Sequence, residues 1–462
     1  MKKAYETTVS SGEVGRTAPL TFQQEWLWGL LQRYTNWSCI LPFALRLHGA
    51  LNIDCLRRSL EEILRRHGAL RTRIVTVDGV PMQQVGEPGE YRLEVTSFAD
   101  ESRAEADRKV HLAVDTFFTT RIDLSVGPMF DAKLLKCADQ NYVLIISIHH
   151  IITDGFSCNI MFRELWILYA GFLKGKSVSL APLVEQYADC AVWQRETHPA
   201  WLEAHEAYWK KRLSGASRIR WPVDRDVRGV SASRFELVQI RFGEALSAGV
   251  RQLALSSRKP IAMIMLTVYV ATVWKWCKQA DFIVPFNIAG RNRREHEQVI
   301  GYFAHVLFLR MEMTGRETFA DLLNQVTREF FRAGLHQDQG RMVAQAPGML
   351  QGTFFQWLPW QPDELAGVPT SALLSQLDGS ITVEPFPLTA NTAGLPDVID
   401  ISLMLYDSKE GICATGNCRA DLFTANTTQR FAQDLRESLE QFLRNPDGCV
   451  TSEFNARAAS QQ

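Results

Sequence analysis

The sequence predicts an α/β protein built as two lobes. Three observations lead there. The chain has 462 residues, too many for one simple core; 46% of them are hydrophobic against 22% charged; and helix and strand signals alternate along its length. With 50 basic side chains against 51 acidic ones the net charge is −1, which gives no general field for a polyanion and argues against a nucleic-acid coating protein. The apolar fraction excludes disorder for most of the chain.

The elements follow in order. Residues 1–18, rich in Ser, Thr and Gly, read as a loose leader; two lysines near the start have no apolar run behind them, so this is no secretory signal. Asp54 is placed to cap a helix carrying Leu56, Leu60, Ile63 and Leu64 on one face, closed by Gly68. An alternating strand, Leu70–Val77, turns at Asp78-Gly79 into a second strand, Val80–Val85. Tyr142–Ile148 (YVLIISI) is apolar without alternation, as in a central strand covered on both faces. A short turn then leads to a helix with Met161, Leu165, Leu168 and Tyr169 on one side. Further on come a helix at Ile261–Trp276, a strand at Phe282–Ile288, a helix near Phe319–Ala333, and strands Ile401–Tyr406 and Ile412–Arg419. A final helix presents Phe431, Leu435, Leu439 and Phe442. The proline-containing stretch at Ala181–Pro182 is the weakest point and divides the lobes into 19–180 and 181–450, with 451–462 a loose tail.

The most apolar stretch, Ile261 to Trp274, ends at Lys275 and suits a buried helix, not a membrane span. Nine scattered cysteines, odd in number and without a repeated spacing, fit free core thiols in a reducing compartment. Cys413 and Cys418, the closest pair, have no histidine near them to complete a zinc site. A cytoplasmic protein is expected.

The sharpest local signal is HHIITDG, His149 to Gly155, at the end of the buried strand. Adjacent strand residues point to opposite faces, so one histidine faces a cleft and the other the sheet interior. The end of a central strand, just before a helix, is where α/β folds place reactive groups. A neutral imidazole there accepts a proton from an attacking hydroxyl or amine. A structural pair fits these residues as well as a catalytic one. A metal site ranks below both, because diverging neighbours do not easily share one ion.

HHxxxDG resembles the core motif of the acyltransferase superfamily that contains chloramphenicol acetyltransferase and the condensation domains of nonribosomal peptide synthetases. Other segments are similar to the condensation branch in the right order: PLTFQQEWLW from Pro19 to Trp28, RRHGALRTR from Arg65 to Arg73, and IDLSVGPMF from Ile122 to Phe130. They continue with YADCAVWQ from Tyr187 to Gln194, IAGRNR from Ile288 to Arg293, IGYFAHVLFLR from Ile300 to Arg310, HQDQG at His336, and RADLF from Arg419 to Phe423. The resemblance runs from about Pro19 to the final helix.

That resemblance implies two chloramphenicol-acetyltransferase-like lobes in a V-shaped pseudo-dimer with a central substrate tunnel. It implies a donor, an acyl or peptidyl carrier protein presenting an acyl thioester on its phosphopantetheine arm, and no cofactor bound by the chain itself. The acceptor is a small amine or alcohol, or a second carrier, and the product an amide or ester in peptide or polyketide natural-product biosynthesis. His150 orients or deprotonates the nucleophile, and the backbone N–H of Gly155 helps hold a developing oxyanion. His149 is structural. Asp154 faces away from the tunnel and pairs with an arginine, Arg291 first and Arg66 second. His305, where the family carries asparagine, and Ser157 are candidate tunnel residues. Asp131 stands where the family's usual arginine follows the Gly-Pro pair, and the sixth motif continues after His336 and Asp338 with Gln339 and Gly340.

With no carrier-protein serine motif and no adenylation signature, a free-standing, monomeric enzyme acting in trans is expected, without nucleic-acid or membrane partners. A coenzyme-A-dependent acyltransferase of the same superfamily and a non-catalytic recruiting module are the alternatives.

Overall fold

A computed structural model describes residues 15–34, 37–196, 199–225, 235–337, 352–359, 367, 377, 379, 381–388 and 399–450. The chain divides into two units, neither continuous in sequence: Met1–Pro199 with Ala289–Ala304 and Pro362–Gly394, and Ala200–Ile288 with His305–Gln361 and Leu395–Gln462. The division read at Ala181–Pro182 falls inside the first unit, to which two later segments return.

The first unit opens with β1 (Thr17–Pro19), α1 (Phe22–Arg33), β2 (Ile40–Gly49) and α2 (Ile53–Arg66), then β3 (Thr72–Val77) and β4 (Val80–Val85). It continues with β5 (Glu94–Ser97), α3 (Arg103–Thr119), β6 (Phe130–Ala138), β7 (Asn141–His149), α4 (Gly155–Leu173) and α5 (Tyr187–Glu196). The second begins with α6 (Pro199–Leu213), β8 (Phe235–Arg241), α7 (Glu244–Ser257), α8 (Ile261–Cys277), β9 (Asp281–Ile288), β10 (His305–Glu312), α9 (Phe319–Gly334) and β11 (Thr353–Leu358). Then β12 (Ile381–Pro385) returns to the first unit, and β13 (Ile401–Ser408), β14 (Gly411–Arg419) and α10 (Ala425–Arg444) complete the second.

In the first unit a sheet of order β12-β2-β7-β6-β5 holds β7 at its centre, antiparallel to both neighbours. Its unbroken apolar run has a direct cause, since both faces are covered. Leu144, Ile146 and Ile148 pack with residues of α2 and α4, whereas Val143 and Ile145 pack with Val110, Val114 and Phe118 of α3. Each such side chain contributes about 1.5–3 kcal/mol by leaving water. The second unit carries a six-stranded sheet, β10-β9-β11-β13-β14-β8, with Met263–Val273 of α8 and Phe431, Leu435, Leu439 and Phe442 of α10 buried in that unit.

Several local expectations change. Thr17 and Ala18, read as leader, form β1 against β4, while residues 1–14 and the tail 451–462 lie outside the described residues. Asn52, not Asp54, caps α2: its Oδ1 accepts the Cys55 N–H at 3.0 Å, and Asp54 sits within the first turn. Gly68–Arg71 forms a 3₁₀ turn before β3, which starts at Thr72. The hairpin at Asp78-Gly79 has φ of 49° and 78°, the positive pair that a two-residue turn with native twist requires. No single helix among the described residues is long and apolar enough to cross a membrane; α7 and α8 reach that composition only as a pair bent by 111°.

Candidate active site

The site is built where β7 ends. His149 is its last residue, paired with Ile40 of β2, and its N–H donates to the Met129 carbonyl at 2.8 Å. The ring is buried at 2% exposure, and its Nδ1 accepts the Ile151 N–H at 3.1 Å. That bond leaves the ring proton on Nε2 and forbids a second proton on Nδ1. Burial, with His150 alongside, pushes the ring's pKa down to about 3.

His150 lies beyond the strand, opening a 3₁₀ turn, His150–Ile152, with its N–H on the Cys39 carbonyl at 2.8 Å. Strand alternation is therefore not what separates the two rings; the turn does. The His150 Nδ1 lies 2.8 Å from the Thr153 carbonyl oxygen. A carbonyl only accepts, so Nδ1 carries the proton and Nε2 presents a lone pair. The ring is half-buried and meets Tyr302 edge-on, centroids 5.0 Å apart. Gln24 of α1, completely buried, donates its amide to the Ile151 carbonyl at 3.0 Å and so holds the same turn.

Asp154 caps α4 and ties it to the segment before β10. Its Oδ1 accepts from the Ser157 N–H at 2.8 Å, and its Oδ2 accepts from the N–H groups of Phe303 and Ala304 at 2.9 and 3.1 Å. Arg291 stands against it, Nη2 to Oδ1 at 3.3 Å, with both side chains 3% exposed. The guanidinium also donates to Ser157 Oγ at 2.7 Å and to the carbonyls of Val299 (2.9 Å) and His296, and it lies 4.5 and 4.3 Å from the rings of Phe156 and Phe303. Arg66 is elsewhere: with His67 it binds the buried Glu164, at 3.2 and 2.8 Å, joining α2 to α4.

Ser157 is fully buried, and its hydroxyl is engaged by Gly301 and Arg291 rather than lining a tunnel. It donates to the Gly301 carbonyl at 2.7 Å and accepts the Gly301 N–H at 3.0 Å. His305 belongs to the second unit, buried at the head of β10 opposite Ile288. Gly155 is the first residue of α4, where a helix leaves its N–H groups without intrahelical acceptors.

Three contributors went unread in the sequence: the Thr153 carbonyl that fixes the His150 tautomer, Tyr302 beside that ring, and Ser157 as a cross-link. A further group, Glu185, Cys190 and His296, brings potential metal-ligand atoms within 4.8 Å of one another. Arg293 occupies that carboxylate instead, Nη2 to Oε1 at 3.0 Å. Burial and the neighbouring arginines push the His296 pKa down to about 4, and burial pushes the Cys190 thiol up, so thiolate chemistry is disfavoured. Glu185 therefore makes an ion pair with Arg293.

The family described as Condensation domain matches residues 14–462. A linear gramicidin synthase chain of Brevibacillus parabrevis is 31% identical over 467 residues, covering 96% of this chain and 9% of that protein. Among solved structures, the complex of the X-domain and OxyB from teicoplanin biosynthesis matches with a TM-score of 0.77 at 20% identity, over 98% of each chain. The condensation domain from the monacolin K polyketide synthase MokA matches at 0.76 and 18% identity, over 95% of this chain and 100% of that one. The fold is the chloramphenicol-acetyltransferase-like pseudo-dimer. This chain spans less than a tenth of the gramicidin synthase proteins that it matches.

Proposed function

The chain belongs to the condensation-domain family, and from that premise we propose that it transfers an acyl group from a carrier-protein phosphopantetheinyl thioester to an amine or hydroxyl. The observation that supports this most is the fixed tautomer of His150. Its Nδ1–H is held by the Thr153 carbonyl, so Nε2 is the basic nitrogen on a half-buried ring. In the reaction the acceptor nitrogen or oxygen attacks the thioester carbonyl carbon and gives its proton to His150 Nε2. The Gly155 N–H stabilises the negative charge gathering on the carbonyl oxygen. The carbon–sulfur bond then breaks and the arm leaves as a thiol with the proton that His150 took. An acyl thioester and an amine thus become an amide and a free thiol.

A second reading has its own support, since the X-domain among the structural neighbours was solved with OxyB, a partner protein; on that reading this chain recruits and does not catalyse. Turnover separates the two. An acylated holo-carrier is offered with a panel of amines and alcohols, and product is read by mass spectrometry. His150→Ala is expected to lower the rate about 10²–10⁴-fold while the fold survives. The same acyl group on coenzyme A is expected to react much more slowly, because carrier docking makes delivery nearly intramolecular. A folded His150→Ala protein with full activity would overturn the general-base assignment, and equal rates with both donors would move the protein to the coenzyme-A-dependent class.

A further inference from the structure

A cavity of about 790 Å³ opens on the α3 side of the first unit's sheet. It is unrelated to the clamp around Asp154, and its shape follows from register. Asp131 and Lys133 of β6 pair with Ser147 and Ile145 of β7, and residues directly opposite in an antiparallel pair share a face. The core of α3 seals that face at Leu135, Val143 and Ile145. Toward Ser147 the helix gives way to the chain from Thr120 to Pro128, and the cavity fills the gap. Ile145, Phe117 and Ile122 line it, while Leu112 and Val126 stand at its edge 60% and 67% exposed, among the most exposed large apolar side chains described. Its volume and apolar lining suit a small-molecule site.

The charges in the wall are unevenly matched. Lys133 is held by Glu94 at 2.8 Å, and Lys109 by Glu101 at 2.5 Å. Asp131 is different: half-buried, its Oδ1 takes the Ala132 N–H at 2.9 Å, and no basic side chain among the described residues lies within ion-pair distance of it. Burial raises its pKa from the ordinary carboxylate value, and the more distant Lys133 charge and a hydrogen bond from Tyr91 offset that only in part. Arg121 and Asp123, the other charges of the wall, lie on the chain that edges the cavity.

We propose that this cavity binds a small amphipathic amine, its ammonium paired with Asp131 and its apolar body laid over Ile145, Phe117 and Ile122. The inference rests on the cavity alone and not on acyl transfer. The test is calorimetric or ligand-observed NMR titration of the intact chain with 2-phenylethylamine and with 2-phenylethanol, which has the same body without the charge. The amine is expected to bind at least about tenfold more tightly, the gain of a charge-assisted pair. Asp131→Asn, which keeps the acceptor for the Ala132 N–H, should abolish that preference and leave the alcohol unchanged. Phe117→Ala should weaken both, and His150→Ala neither. Equal binding of amine and alcohol, a preference that survives Asp131→Asn, or no binding of either would overturn the proposal. Because no acyl donor is present, failure here and failure of the acyl-transfer reading are separate results.

Discussion

Replacing Asp154 with alanine is predicted to remove about 5 kcal/mol of stability, much of what a domain possesses. Three losses add up. The cap on the Ser157 N–H is worth about 1 kcal/mol. The N–H groups of Phe303 and Ala304 lose their acceptor, at about 1 kcal/mol or more between them. Arg291 is left as a buried charge without its carboxylate, about 3 kcal/mol at the low end of the range, because the Val299 and His296 carbonyls, Ser157 and two aromatic faces still hold it. Asparagine does not rescue. The carboxylate accepts through both oxygens, so either orientation of the amide turns an NH₂ group toward an N–H donor. The assay is urea unfolding followed by circular dichroism, together with hydrogen exchange at Gly301, Phe303 and Ala304. An Asp154→Ala protein with wild-type midpoint and protection but no turnover would refute the clamp and put the carboxylate in the chemistry.

The other predictions concern packing and pH. A β-carbon at Gly301 overlaps the Tyr187 ring, which is buried and whose hydroxyl donates to the Tyr302 carbonyl at 2.6 Å; Gly301→Ala should cost about 3 kcal/mol and lower the melting temperature clearly. Gly29→Ala, exposed in α1 with open space around it, should instead stabilise by about 0.5–1 kcal/mol. His149 takes up its proton in the fold only near pH 3, against 6.5 unperturbed, so its contribution is whole above pH 6.5 and falls as pH drops, by about 1.4 kcal/mol per pH unit at most. Unfolding titrations from pH 7.5 to 4 check this, and an unchanged midpoint would contradict it. Asp400 has the opposite sign: burial raises its pKa from 3.8 to about 6, so stability drops as pH rises through that window. Asp400→Asn should therefore gain more at pH 8 than at pH 4, by ~3 kcal/mol at most.

Elements whose cause is local were readable in the sequence. The apolar run of β7 needs cover on both faces, and α4 and α3 supply it. Asp78-Gly79 had to be a hairpin because few other pairs accept positive φ twice in succession. What stayed hidden depends on partners distant in sequence. Leaders are usually loose, yet Thr17–Pro19 becomes a strand because β4 has a free edge beside it. No composition signal told that residues 381–385 would leave the second unit and pair with Leu45–Gly49 of β2. A boundary sought as one weak point in the chain cannot find two units that exchange segments.

The site divides along the same line, and the division bears on how HHxxxDG works. Strand alternation is not what sets the two histidines apart, because His150 lies beyond the strand. The chain turns at His150, and the two rings receive opposite proton placements from neighbouring backbone groups. The Ile151 N–H donates to Nδ1 of His149, and the Nδ1–H of His150 donates to the Thr153 carbonyl. Both partners are backbone atoms of the turn itself, so its shape assigns the two tautomers before any distant residue contributes. The distant residues hold that shape: Gln24 grips the Ile151 carbonyl, and Asp154, Ser157 and Arg291 fasten the following helix to residues 299–304. The spacing of the motif is thus set by a turn that must close, and the aspartate four residues after the basic histidine secures the next helix so that it stays closed.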